Sequence, residues 1–308
     1  MTIELQGVTV RYGDHVAVRD LTATFPRGTV GLLGRNGAGK SSILKAMLGL
    51  VRPVAGRILV HDLAPGGDLR SRVGYMPERD AHLPNATGFE MITVLGQLSG
   101  MARRDAWRRA HEVLYLVGLE EQRYRSVAGY SAGMRQKVKL AAALVHDPVI
   151  LFLDEPTNGL DPRARLDMLE LVRRLGTEFG KSVLLSTHVL QDVEAICDSV
   201  VVMEAGRIVA AGEVRALTRA AVRELLLVVE PATTRLPAEP ATGITLTPLD
   251  GAGSGRYSVR LDPAADPSPV FAAVRSVGAR VRSLAAQRRT LTEVFVAAVG
   301  AETPEPGR

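Results

Sequence analysis

Thr29-Val30-Gly31-Leu32-Leu33-Gly34-Arg35-Asn36-Gly37-Ala38-Gly39-Lys40-Ser41-Ser42 is the stretch from which the rest of the chain is read. Thr29 to Leu33 is short and apolar on both faces, as an inner strand of a parallel sheet must be. It runs into Gly34 to Ser41, which fits G-x-x-x-x-G-K-[ST]. Glycines in such a turn let successive backbone N–H groups point inward around an oxyanion. A helix opening near Lys40 adds its positive end. Lys40 is placed to reach the outer phosphates of a nucleotide, and the Ser41 hydroxyl to ligate Mg²⁺. A chance glycine-rich turn is the bland alternative. Placement between an apolar strand and a helical pattern (Ile43, Leu44, Met47, Leu48) argues against it.

Upstream, Ile3, Leu5, Val8 and Val10 alternate as a half-buried strand does, and Asp20 to Phe25 continues in that style. Downstream, Gly88 to Ala128 reads as helical and charged, with Arg103, Arg104, Arg108 and Arg109 around Trp107. That face is the one hint of a nucleic-acid surface, and it reads rather as solvated or turned to a protein partner. Ser131 to His146 is a further helix, with Ser131 as its cap and Met134, Val138, Ala141 and Val145 on one side. Ile150-Leu151-Phe152-Leu153 is a buried strand that ends in Asp154-Glu155. Two acids at the carboxyl edge of a parallel strand lie where such sheets bind ligands. There Asp154 can hold Mg²⁺ and Glu155 can polarise an attacking water. An acid pair after a strand also serves simply to cap the next helix, and alone the segment fits either role. Leu166 to Phe179 reads as an amphipathic helix and Ser182 to Ser186 as a strand, so strands and helices alternate as in a parallel sheet with crossovers.

The bulk composition narrows the choices. The chain has 308 residues, 46% hydrophobic and 23% charged, an ordinary globular balance. A net charge of +5 suits an anionic ligand and is too weak to argue for nucleic acid. Cys197 is the single cysteine, which rules out an intramolecular disulfide and reads as a small buried apolar residue. No apolar run approaches the roughly 18 residues needed to span a bilayer, so no direct membrane insertion is expected. After about Leu217 the texture changes. Leu225–Val229, Ile244–Thr247 and Arg256–Leu261 read as strands, and Pro269–Val277 and Leu291–Val299 as helices.

With these residues in place, the chain resembles the ATP-binding subunits of ABC transporters over about Ile3 to Leu217. Four further motifs follow in the family's order. Tyr12, in Arg-Tyr-Gly, matches the aromatic residue that stacks on adenine. Tyr130-Ser131-Ala132-Gly133-Met134 resembles the family signature, with Ala132 for the usual glycine and Met134 for the usual glutamine. Gly159-Leu160-Asp161-Pro162 resembles the loop that couples two sites of a dimer. Ser186-Thr187-His188 resembles the switch histidine. By themselves Tyr12 is also an ordinary turn aromatic and His188 a satisfied histidine at a strand end. Glu78 stands where many relatives carry a glutamine that touches the metal.

The resemblance implies an α/β fold of the P-loop NTPase type. It carries a mainly parallel core sheet, N-terminal antiparallel strands and a helical subdomain at about residues 88–146. The expected domains are a nucleotide-binding domain over 1–217, a small α+β domain over 218–302 and a flexible tail over 303–308. ATP and Mg²⁺ are the implied cofactors. Tyr12, Gly34, Arg35, Asn36, Gly37, Ala38, Gly39, Lys40, Ser41, Ser42 and Asp161 would serve the nucleotide, with Ser131 and Gly133 acting from a second subunit. Ser41, Asp154 and Glu78 would hold the metal, and Glu155 and His188 would serve catalysis. The partners implied are a second ATPase subunit, identical or not, and a separate membrane permease at the cytoplasmic face of the cell membrane. Thr290-Leu291-Thr292-Glu293-Val294-Phe295 resembles the ending of the exporter group. An importer ATPase is the runner-up. A soluble relative in translation or DNA repair fits less well, because neither a second nucleotide domain nor a long coiled-coil insertion is present.

Overall fold

The computed structural model describes residues 3–79, 83, 85–218, 223–249, 254–262, 265–286 and 291. They fall into two compact units, one ending at Val214 and the other starting at Arg215.

In the first unit the strands β1 (Ile3–Tyr12), β2 (His15–Phe25), β3 (Thr29–Leu33), β4 (Ala55–Val60), β5 (Val73–Met76), β6 (Ile150–Asp154), β7 (Ser182–Thr187), β8 (Ser199–Glu204) and β9 (Arg207–Glu213) form two sheets. The larger has the order β5-β6-β7-β3-β8-β9. All its neighbours run parallel except β8 and β9, which are antiparallel. The smaller is the antiparallel trio β2-β1-β4. Every residue of β3 and of β6 is buried, which is why both strands read as unbroken apolar runs. β1 instead buries Ile3, Leu5, Val8 and Val10 and pairs from Ile3 with Phe25 to Tyr12 with His15. The strand expected over Asp20 to Phe25 therefore begins earlier, at His15.

The parallel strands place their carboxyl ends together, and the loops that follow β3, β6 and β7 meet there. Helix α1 (Lys40–Met47) follows the glycine loop and packs Ile43, Leu44 and Met47 into the core between the sheets. A short turn of helix, α2 (Gly67–Arg70), precedes β5. The helical subdomain comprises α3 (Gly88–Leu98), α4 (Arg103–Leu116) and α5 (Ala132–Leu144). Thr87 and Glu90 form a capping box on α3, satisfying two otherwise open N–H groups. The arginine-rich face of α4 is a solvated ion-pair surface: Arg108 meets Asp105 and Glu112, and Arg109 meets Glu112 and Asp147. Trp107 stands edge-on to Phe89 with ring centres 5.8 Å apart. Helices α6 (Pro162–Thr177) and α7 (Leu190–Ile196) complete the unit.

The second unit is an antiparallel sheet of β10 (Arg223–Glu230), β11 (Ile244–Pro248), β12 (Arg256–Leu261) and β13 (Arg280–Ala286) in the order β11-β12-β10-β13. Leu227, Val229, Ile244, Leu246, Val259 and Leu261 build its core with Val270 and Val274 of the helix Ser268–Ser276. β13 was not anticipated from the sequence. The helix expected over Leu291–Val299 and the segment Thr290–Phe295 lie outside the described residues, apart from Leu291. Among the described residues, no helix is long and apolar enough to cross a membrane.

Candidate active site

The loop between β3 and α1 takes its shape from two close approaches. A Cβ at Gly34 would collide with the Met203 carbonyl at the end of β8. At Gly39, φ is +99° and a Cβ would come within 2.5 Å of the Ala17 carbonyl. Only glycine meets both demands. Ala38 is buried behind the loop, while Arg35, Asn36 and Gly37 are exposed at its rim. Lys40 begins α1 and is buried. Its ammonium donates to the Gly34 carbonyl at 2.7 Å and to that of Arg35 at 3.3 Å, so the cation sits inside the curve of its own loop.

Facing this loop is the end of β6. Asp154 is buried, and its Oδ1 accepts from Ser41 Oγ at 3.3 Å. Glu155, also buried, has φ +49°, in the left-handed region that a branched-chain or long residue rarely adopts. The turn is held by its own N–H, which donates to the Ser186 carbonyl on β7 at 2.9 Å. This conformation swings the side chain away from the strand direction. Its Oε1 lies 3.6 Å from Lys40 Nζ and its Oε2 lies 2.9 Å from His188 Nδ1. An ionised carboxylate only accepts, so with Glu155 in that form Nδ1 is the donor. The strand ends of β3, β6 and β7 thus deliver Lys40, Glu155 and His188 to one place.

The cleft above them has a volume of about 290 Å³ and is lined by Tyr12, Asn36, Gly37, Gly39, Lys40, Ser41, Ser42, Glu78 and Glu155, with His15 and Ala17. Tyr12 and His15 face each other across the β1–β2 hairpin, so the antiparallel sheet supplies one wall. Tyr75, on β5 below Glu78, has its phenol pushed up to about 12 by burial and then by the negative charges of Asp154 and Glu78.

Ser131 and Gly133 are not part of this cleft. They line a separate one, of about 240 Å³, with Met134, Lys137, Ala164 and Asp167. Ser131 caps α5, its Oγ accepting from the Met134 N–H at 3.3 Å. Two buried side chains tie α5 to the first cleft. Gln136 Nε2 donates to the Asn158 carbonyl at 3.0 Å. Lys139 Nζ donates to the carbonyls of Pro77 and Glu78 at 3.1 and 2.8 Å. Asp161 is an N-cap, accepting from the N–H groups of Arg163 and Ala164 at the start of α6. Cys197 is buried, and burial, followed by the nearby Asp198 and Asp192, raises its thiol pKa, which keeps it protonated and inert.

His15, Lys139 and the pair Thr157–Asp192 were not singled out from the sequence. Asp161-Pro162, an Asp cap followed by proline, carries a local signal for the helix start seen here.

A family model described as ABC transporter matches residues 18–158. The daunorubicin resistance ATP-binding protein DrrA3 of Streptomyces coeruleorubidus is 35% identical over 306 residues, which is 97% of this chain and 96% of that protein. The Nod factor export ATP-binding protein I of Bradyrhizobium diazoefficiens is 40% identical over 221 residues, covering 70% of this chain and 72% of that protein. A solved structure of an ATP-binding subunit of an ABC transporter superposes with a TM-score of 0.62 at 30% identity, covering 70% of this chain and 92% of the other.

Proposed function

The chain belongs to the ABC transporter ATP-binding proteins, and from that premise we propose that it hydrolyses ATP at the Lys40–Glu155–His188 cleft to power export through a separate membrane permease. The observation that carries the catalytic part is the position of Glu155, buried between a cation and an imidazole and lining the cleft of about 290 Å³ that also holds the glycine loop. Export is supported by the two relatives whose names speak of drug resistance and Nod factor export.

Each group then has a task. Tyr12 stacks on the base, and the backbone of Gly34 to Ser42 with Lys40 binds the phosphates. Glu155 takes a proton from the attacking water, whose oxygen bonds to the γ-phosphorus as the bridging oxygen departs with ADP. His188 orients the Glu155 carboxylate and the phosphate end of the cleft. Ser41 Oγ and Asp154 Oδ1 face each other at 3.3 Å, a hydroxyl and a carboxylate, the hard oxygen donors that suit Mg²⁺. Those two, with Glu78 on the cleft wall, would hold the ion, which when bound neutralises charge across the outer phosphates.

Ser131 and Gly133 complete the cleft of a second subunit, identical or homologous, in a two-fold arrangement. Their seat away from the Lys40 cleft supports this, because they do not line the nucleotide cleft of their own chain. Asp161 borders the same junction. The enzyme works at the cytoplasmic face of the membrane, held there by its permease. The nucleotide-binding domain spans 1–217 and the smaller domain follows it. Changing Glu155 to Gln is the decisive experiment: ATP binding persists and turnover falls by at least about a hundredfold. Unchanged turnover would remove Glu155 from catalysis and the proposed cleft with it.

A further inference from the structure

Asp192 is the most completely buried acid in the first unit's described residues that the proposed mechanism leaves unused, with no accessible surface at all. A buried carboxylate needs partners that offset its lost hydration, and those of Asp192 come from two other segments. Thr157 Oγ donates to Oδ2 at 2.6 Å, and Arg165 Nε donates to Oδ1 at 2.7 Å. Thr157 lies two residues beyond Glu155, in the turn whose left-handed backbone aims that acid. Asp192 lies in the first turn of α7, directly after His188. Its N–H donates to the Val189 carbonyl at 3.2 Å, and the Val189 N–H donates to Thr187 Oγ at 3.0 Å. The backbone on both sides of His188 is thereby tied to Asp192.

We propose that Asp192 is a positioning residue for hydrolysis, clamping the Glu155 turn to the His188 turn through Thr157. It acts through those residues and touches neither water nor phosphate. The clamp also joins a longer path. The Asn158 carbonyl, next to Thr157, accepts from Gln136 of α5, and α5 opens with Ser131 and Gly133. The first turn of α5 is therefore linked to the Glu155–His188 pair through the helix backbone, the Gln136–Asn158 hydrogen bond and Thr157. The inference rests on Glu155 being the hydrolytic base, as proposed above.

Asp192→Ala opens a buried hole and can unfold the chain, so Thr157→Val carries the test. It is nearly isosteric, deletes one hydroxyl and leaves the Asp192–Arg165 pair in place. In the full-length protein with ATP and Mg²⁺, turnover is expected to fall about ten- to hundredfold, the effect of a small misplacement of reacting groups. KM for ATP stays within about twofold. Thr157→Ser restores the rate. In a His188→Ala background, Thr157→Val changes the residual rate by less than about twofold, because the geometry it protects is already gone. Turnover within about twofold of the parent, or a loss of equal size in the His188→Ala background, would overturn the proposal, as would a drop in melting temperature with no change in kcat. Glu155→Gln run alongside separates the two readings. If it stops turnover while Thr157→Val does not, only the clamp fails; if it leaves turnover intact, the catalytic assignment itself is lost.

Discussion

His188 Nδ1 sits 2.9 Å from Glu155 Oε2, across two adjacent strand ends of the parallel sheet. The imidazole and the carboxylate are at hydrogen-bond distance, and Lys40 approaches the other carboxylate oxygen at 3.6 Å. Glu155 is thus held from both sides by residues of the fold itself, and such preorganisation is what lowers a barrier without reorganisation during reaction.

Replacing His188 by Ala frees Oε2 and leaves the loop at Gly34 untouched. The expected outcome is a kcat about a hundredfold lower with ATP affinity unchanged. Steady-state turnover together with a nucleotide-binding titration measures both. An equal rise in KM would place His188 in binding instead.

Separation of the two clefts predicts complementation. Lys40→Ala damages the phosphate loop and Gly133→Asp the facing turn, so each variant alone is inactive. Mixed in equal amounts with free subunit exchange, half the dimers carry one intact composite site. The mixture should recover about a quarter of the parental rate, if the sites act independently and pairing is symmetric. No recovery after exchange has been verified would contradict the shared site.

Asp147 carries a carboxylate held below its usual range, chiefly by the hydrogen bond from Lys181, with Arg109 adding to the effect. A depressed folded-state pKa contributes stability above the ordinary carboxylate pKa, and that contribution is lost as pH falls through the depressed value. The side chain is 71% exposed, so screening keeps the effect below about 1 kcal/mol. Asp147→Asn keeps a residue that tolerates its φ of +55° while removing the charge. Melting curves against pH should show a slightly lower plateau at neutrality and a shallower acid limb. An unchanged acid limb would assign the loss to other carboxylates.

Tyr75 should stay neutral at the pH where ordinary tyrosines ionise, about 10, because its phenol is pushed up to about 12. Comparing ultraviolet titrations of the parent and Tyr75→Phe isolates its signal. Burial is the larger cause, so Glu78→Gln lowers the transition only in part. A normal Tyr75 titration would show that its phenol is not buried at this end of the sheet, and an unchanged transition in Glu78→Gln that Glu78 does not act on it.

Where the chain is decided locally, the sequence was legible. β3 and β6 are buried on both faces, so their apolar runs could be read directly, and the glycine spacing between β3 and α1 follows from backbone demands at Gly34 and Gly39. β9 escaped notice because it is a half-exposed edge strand built on Ala210, Ala211 and Gly212, with no alternation to read. β13 escaped for a similar reason: most of its side chains are exposed or half-buried, and Arg280 and Arg282 hide its register. Contacts between distant segments left no trace. Lys139 reaches Pro77 and Glu78, and Asp192 reaches Thr157, through folding alone. Glu155 was identified from its place after a strand, but its positive φ was not foreseeable, because glutamate has no preference for that conformation.

That same φ of +49° at Glu155 is a local strain held in place by the residue's own partners. A glycine there would relieve about 1–3 kcal/mol of backbone strain, but it would also break the buried pair with Lys40 and the contact with His188, a loss of about 3–5 kcal/mol. Under the proposed role of Glu155, a substitution at this position is expected to lose turnover and stability together.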